Sequence, residues 1–260
     1  MTSPAVTTHA RTVTFRQRLL ARETLVGTWV KTPAPVVCEV LGTTALDLLA
    51  LDAEHAPFGR TELDACLALC RALDIPALVR VPSAEPAQIL NALDCGASGV
   101  LVPHVSSVSQ AQAAVRAGHY GAGGRGYAGS TRAAGFAGRA IADQLQRGRD
   151  QTSVILQIED AEALPVIGDI AAVPGVDCLF VGRVDLTVSL GKTRTDDPEV
   201  VRGVERICAA GRKHGIAVGM FVADPAEATR WMAQGASLFI LGSDQGFLLA
   251  GAQALIAAVR

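Results

Sequence analysis

Short runs rich in Val, Ile and Leu alternate along the chain with longer Ala/Leu-rich stretches in which apolar residues recur at helical spacing. The short runs fall at 25–30, 46–51, 77–81, 99–102, 154–158, 178–181, 217–221 and 238–241, and predict eight strands. They are apolar on both faces, as parallel strands covered by helices must be. The helical stretches lie at 35–41, 61–72, 86–94, 108–117, 161–170, 198–214, 225–234 and 245–259, with a further helix at 15–22 ahead of the first strand. Pro35, Pro86, Pro198 and Pro225 stand at helix starts, where a missing N–H leaves nothing unpaired, and Gly96, Gly118, Gly215 and Gly235 follow helix ends.

Eight strand–helix units predict an α/β architecture: a (β/α)8 TIM barrel with an extra N-terminal helix, whose closure leaves no edge strand. The 260 residues match the usual size of one such domain, so residues 1–260 are read as a single barrel domain. A doubly wound open sheet usually carries a glycine-rich turn after its first strand. Here the first strand is followed by Lys31-Thr-Pro-Ala-Pro35, which disfavours it.

Composition narrows the partners. Half the residues are hydrophobic, which excludes a disordered chain, and 25 acidic against 23 basic residues leave no basic excess for nucleic acid. The apolar runs are strand-length and interrupted, so no membrane span is expected. Residues 1–14 hold no apolar run of signal-peptide length, and the protein is read as soluble and cytoplasmic. Six cysteines, at 38, 66, 70, 95, 178 and 208, form no CxxC or Cys/His cluster and are read as buried small hydrophobes in a reducing compartment.

A barrel of this kind carries its chemistry at the C-terminal ends of its strands. The second strand ends in Leu-Asp52-Ala-Glu54-His55-Ala-Pro, and a carboxylate beside an imidazole suits a general base. Arg80 ends the third strand, as a candidate oxyanion stabiliser or an ion-pair partner of Asp52 or Glu54. The fifth strand ends in Leu-Gln157-Ile-Glu159, and the sixth is followed by Gly182-Arg183-Val184-Asp185-Leu186. Glu159 and Asp185 are two carboxylates from adjacent strands. They suit a hard divalent cation, an acid/base pair, or helix capping, the last being more natural for Asp185. The segment around 119–138 is the only long irregular stretch. Its Gly123-Gly-Arg125-Gly-Tyr127 run is read as a loop over the barrel mouth, with Arg125 facing an anion. His104 follows the fourth strand and is a minor candidate for the site. His119 and His214 lie near helix ends, and His9 in the terminal segment.

Taken together, Gly27-Thr-Trp29, Asp52-Ala-Glu54-His55-Ala-Pro57, Val79-Arg80-Val-Pro82, Leu101-Val-Pro103, Gly124-Arg125-Gly126, Gln157-Ile-Glu159 and Gly182-Arg183-Val184-Asp185-Leu186 resemble the HpcH/HpaI aldolase family, relatives of the citrate lyase β-subunit. The resemblance spans nearly the whole chain. It implies a class II carbon–carbon lyase that reversibly cleaves 4-hydroxy-2-oxoacids to pyruvate and an aldehyde through a metal-stabilised enolate. It implies Glu159 and Asp185 as metal ligands for Mg²⁺ or Mn²⁺, with Co²⁺ or Zn²⁺ as alternatives. It implies His55 paired with Asp52 as the base, and Arg80 as the essential arginine. Gln157 and the backbone amides around Val184 and Asp185 are implied to meet the keto acid. It further implies a homohexamer whose last helix, here about 245–259, is exchanged between subunits. Two other activities compete: a CoA-thioester lyase of the malyl or citramalyl type, and a non-catalytic small-acid binding paralogue. The family commonly reads Gly-Pro-Ala-Asp-Leu where this chain has Gly-Arg183-Val184-Asp-Leu. Arg183 is accordingly expected either to bind a carboxylate of an altered substrate or to mark drift toward another reaction.

Overall fold

The computed structural model describes residues 13–260. His9 and most of the segment read as free of a targeting signal lie outside the described residues. Eight parallel strands close into a barrel in sequence order, β1 (Leu25–Val30), β2 (Leu48–Asp52), β3 (Ala77–Arg80), β4 (Gly99–Val102), β5 (Ser153–Ile158), β6 (Cys178–Val181), β7 (Ala217–Val222) and β8 (Leu238–Ser243). The helices are α1 (Phe15–Leu20), α2 (Pro35–Gly42), α3 (Arg60–Ala72), α4 (Pro86–Asp94), α5 (Val108–Gly118), α6 (Ile141–Gln151), α7 (Ile167–Ala171), α8 (Arg183–Ser189), α9 (Pro198–His214), α10 (Pro225–Ala233) and α11 (Asp244–Val259). A 3₁₀ turn, Ala161–Val166, leads into α7, because Pro165 interrupts the helical stretch predicted there as continuous. The expected barrel with its extra N-terminal helix is therefore the observed fold.

Two helices were not foreseen. α6 is mostly polar, seven of its eleven residues being Asp, Gln or Arg, and it buries Gln144 rather than an apolar stripe. α8 is a short helix that begins directly after β6 and Gly182 and holds Arg183, Val184 and Asp185 in its first turn.

Strand parity sorts the core into two layers. Leu25, Trp29, Leu48, Ala50, Leu78, Leu101, Ile155, Cys178, Phe180, Ala217, Leu238 and Ile240 point into the barrel. The alternate residues, among them Leu49, Leu51, Val79, Val154, Leu156 and Val181, pack against the helices. Phe15 and Leu19 of α1 join the inner layer and stopper the N-terminal end. Arg16 fastens that stopper through a two-point pair to buried Asp177, just before β6. All six cysteines are buried and free, as expected. No helix among the described residues is long and apolar enough to cross a membrane.

Candidate active site

The same parity decides which polar residues reach the barrel mouth. Counting by twos from Leu48 and Ala50 turns Asp52 inward, and from Leu78 it turns Arg80 inward. Counting from Ile155 turns Gln157 inward and, one step past the strand, Glu159. These four residues sit at the C-terminal ends of β2, β3 and β5, and all are buried. Asp52 and Arg80 are also direct register partners on neighbouring strands.

That register sets their pairing. Arg80 Nε donates to Asp52 Oδ1 at 3.0 Å and Arg80 Nη2 to Oδ2 at 2.7 Å, a two-point fork. Asp52 Oδ1 also accepts the backbone N–H groups of Glu54 and His55, at 3.3 and 3.1 Å. Lys31 Nζ approaches Oδ2 at 3.5 Å. Burial by itself would raise the Asp52 pKa, but the Arg80 bonds and charge, the His55 amide and Lys31 outweigh it and hold the carboxyl below its ordinary value. Arg80 lies over the face of Trp29, its guanidinium carbon 4.4 Å from the ring centroid.

The expected pairing of Asp52 with the His55 imidazole takes a different form. Asp52 holds the His55 backbone, while the ring lies beside Glu54, with Nε2 3.6 Å from Oε2. Both Asp52 oxygens are committed to the Arg80 fork, which the strand register puts closer than the turn that carries the ring. Glu54 Oε2 also lies 3.3 Å from Arg80 Nε, so Arg80 meets both carboxylates named as its alternative partners. Burial and the nearby Glu159 charge raise the Glu54 pKa, and Arg80, His55 and His104 only partly offset them.

Glu159 is built in from three sides. His104 donates its backbone N–H to Oε1 at 2.9 Å, Gln157 Nε2 donates to Oε2, and Gly182 presses against the carboxylate. A Cβ at Gly182 would lie 2.5 Å from Glu159 Oε2 and 2.7 Å from its Cβ, so only glycine lets the end of β6 pass. His104 takes the left-handed conformation, φ 56°. Its ring Nδ1 stands 3.5 Å from Glu159 and 3.3 Å from Asp160, and its Nε2 stands 3.8 Å from Glu54. Burial lowers the His104 pKa, but these carboxylates reverse the effect and raise it. Glu54 and His104 are thus part of the constellation. Glu54 was legible in the same motif as His55, whereas for His104 the only signal was its place after β4.

Asp185 is exposed in the first turn of α8, and among the described residues its side chain has no partner. The N–H groups of Val184 and Asp185 belong to that same turn, where helix amides lack an intrahelical acceptor. Arg183 does not present an open guanidinium: its two terminal nitrogens donate to Glu227 of α10 at 3.0 and 2.6 Å. The expectation that it binds a substrate carboxylate gives way to this internal pair.

The glycine-rich loop is also corrected. It follows α5 and precedes β5, and in a parallel barrel that connection lies at the N-terminal end, away from the mouth. Arg125 is buried there, paired with Asp94 at the end of α4 and stacked on Tyr120 at 4.7 Å.

A buried arginine, an imidazole and buried carboxylates converge on the C-terminal mouth of a closed (β/α)8 barrel, which makes this mouth the candidate active site of a TIM-barrel enzyme. Comparison with known proteins narrows that class. The family profile of the HpcH/HpaI aldolase/citrate lyase domain matches residues 25–250. Over 254 residues the chain is 35% identical to the hydroxypyruvate/pyruvate aldolase of Paraburkholderia phytofirmans, covering 95% of this chain and 97% of that one. It is also 35% identical to the 5-keto-4-deoxy-D-glucarate aldolase of Klebsiella pneumoniae, covering 95% and 96%. The crystal structure of an HpcH/HpaI aldolase/citrate lyase family protein from Burkholderia cenocepacia superimposes with a TM-score of 0.89 at 36% identity, covering 94% and 98%. The chain belongs to the HpcH/HpaI aldolase/citrate lyase family and is a carbon–carbon lyase of the aldolase type.

Proposed function

We propose that this enzyme cleaves 4-hydroxy-2-oxoacids between C3 and C4 to pyruvate and an aldehyde, and runs the reverse condensation. The observation that carries the reading is the convergence of Arg80, His55, Glu54, Gln157 and Glu159 on one mouth. The relatives, a hydroxypyruvate/pyruvate aldolase and a 5-keto-4-deoxy-D-glucarate aldolase, support a keto-acid substrate.

Class II aldolases of this family are metal-dependent, and the residues here fit a divalent cation. Half-buried Glu54 and buried Glu159 repel one another, and among the described residues the buried atoms Glu54 Oε2 and Gln157 Oε1 have no hydrogen-bond partner. The donors are hard oxygens suited to Mg²⁺ or Mn²⁺. Among the described residues no three or more His, Cys, Asp or Glu side chains are grouped so as to hold a metal ion by themselves. Glu159 and Asp185 would hold it, leaving the remaining positions to substrate and water, as a catalytic site requires. A cation bound there would act as a Lewis acid on the keto acid and offset the negative charge that builds up as the C3–C4 bond breaks.

The chain's own residues supply the rest. Asp52 fixes Arg80 in one orientation, so its free guanidinium edge is already aimed when an oxyanion develops. His55 takes the proton from the 4-hydroxyl as the C3–C4 electron pair passes into the pyruvate enolate, whose C3 then takes a proton from the imidazolium or from water. Condensation runs the same transfers in reverse and returns the proton to the aldehyde oxygen. Glu54, beside the ring, stabilises the imidazolium. Gln157 orients Glu159 and the keto acid, and the Val184 and Asp185 amides receive the substrate carboxylate.

We further propose that the protein is a homo-oligomer in which α11 is covered by a second copy. Every residue from 245 to 260 is exposed, including Phe247, Leu248, Leu249, Leu255, Ile256 and Val259, an apolar surface that a lone subunit leaves in water.

The deciding assay is pyruvate release from 4-hydroxy-2-oxoacids with Mg²⁺ or Mn²⁺, with and without EDTA, beside a malyl-CoA control. Turnover that EDTA abolishes supports the reading. Turnover of the thioester alone, or none with any metal, overturns it.

A further inference from the structure

A second charged cluster lies at the opposite end of the barrel. A cavity of about 470 Å³ opens beneath the starts of β3, β4 and β5 and is lined by Arg71, Arg125, Arg139, Arg147, Gln144 and Thr152, among others. Arg125 is neutralised by Asp94, yet its Nε is buried with no hydrogen-bond partner among the described residues. The other three guanidiniums meet no carboxylate among the described residues. Arg71 donates to the Arg132 carbonyl, Arg139 to the Ala133 carbonyl and Arg147 to the Gln151 amide oxygen. Burial, and then the charges of Arg139 and Arg71, hold the Arg147 pKa below its ordinary value. Asp74 and the C-terminal ends of α3 and α6 also face the cavity, and each helix end carries roughly half a negative charge. They offset part of the positive charge and leave a surplus. Among the described residues, each of the three arginines keeps N–H groups that no acceptor fills.

We propose that this cavity binds a small oxyanion carrying two or more negative charges, a phosphoryl compound or a polycarboxylate, at a site separate from the catalytic mouth. Planar guanidinium forks match both groups. The occupant would bridge α3, the 132–139 segment and α6, and so tie down the connection between α5 and β5.

The test is isothermal titration of the full-length protein with inorganic phosphate, citrate and chloride at matched ionic strength. It is repeated with Arg147→Gln, Arg139→Gln, Arg147→Lys and Asp185→Asn, each checked for fold by circular dichroism. The expected result is one saturable site per subunit for phosphate or citrate, whichever is tighter naming the ligand class. Each glutamine variant weakens it roughly tenfold or more, Arg147→Lys restores part of the affinity, and Asp185→Asn leaves it unchanged. Bound anion should also slow hydrogen exchange over 132–151. Equal heats from chloride, meaning an adventitious ion only, would overturn the proposal. So would affinity unchanged in both glutamine variants, binding lost in Asp185→Asn, or no saturable binding at all.

Discussion

Replacing Asp52 by Asn tests the pair on which the mouth is built. The wild-type carboxylate is fully buried, accepts a two-point fork from Arg80 and two backbone N–H groups, and has Lys31 close by. An amide of the same shape keeps one acceptor but turns its NH₂ toward the guanidinium or the amides. Breaking a buried ion pair from one side costs about 3–5 kcal/mol. Arg80 keeps Glu54 at 3.3 Å and the Trp29 face, so the lower end applies, about 3 kcal/mol. For a chain of this size that is a fall in Tm of roughly 6–12 °C. Urea denaturation followed by circular dichroism measures it, with Arg80→Met and the double variant closing the cycle. The acid limb should change too. A carboxyl held below its unfolded pKa contributes stability that is complete above the unfolded value and lost as pH falls through the folded one. Asp52→Asn should lack that part of the wild-type decline below about pH 4. A variant within about 0.5 kcal/mol of wild type at neutral pH, or single effects that simply add in the cycle, would refute the reasoning.

Gly182→Ala should push Glu159 aside and lower kcat roughly a hundredfold, with the circular dichroism spectrum unchanged, because its Cβ would sit 2.5 Å from Oε2. Steady-state kinetics of pyruvate release checks this. Arg125→Met should leave Asp94 buried without its cation and destabilise the fold by about 3 kcal/mol in urea, while KM stays at the wild-type value because the pair lies at the far end of the barrel. Leu248→Glu with Leu255→Glu should break the assembly into smaller species, read by light scattering on a sizing column, because both side chains are exposed on α11.

The alternation of apolar runs and helical stretches was sufficient to define the barrel, because each strand–helix unit buries its apolar face in the same way and eight of them close on themselves. It was also enough to bring Asp52, Arg80, Gln157 and Glu159 to the mouth, since period-two parity is a property of the strand alone. Partner choice was decided elsewhere. Asp52 takes the Arg80 guanidinium 28 residues away rather than the imidazole three residues on, because strand register sets the shorter path. Arg183 finds Glu227 on a helix 44 residues later, and Arg125 lands at the N-terminal end beside Asp94. Local pattern specifies which face a side chain leaves from. Which charge it meets depends on elements distant in sequence, and only their packing in three dimensions brings those charges within reach.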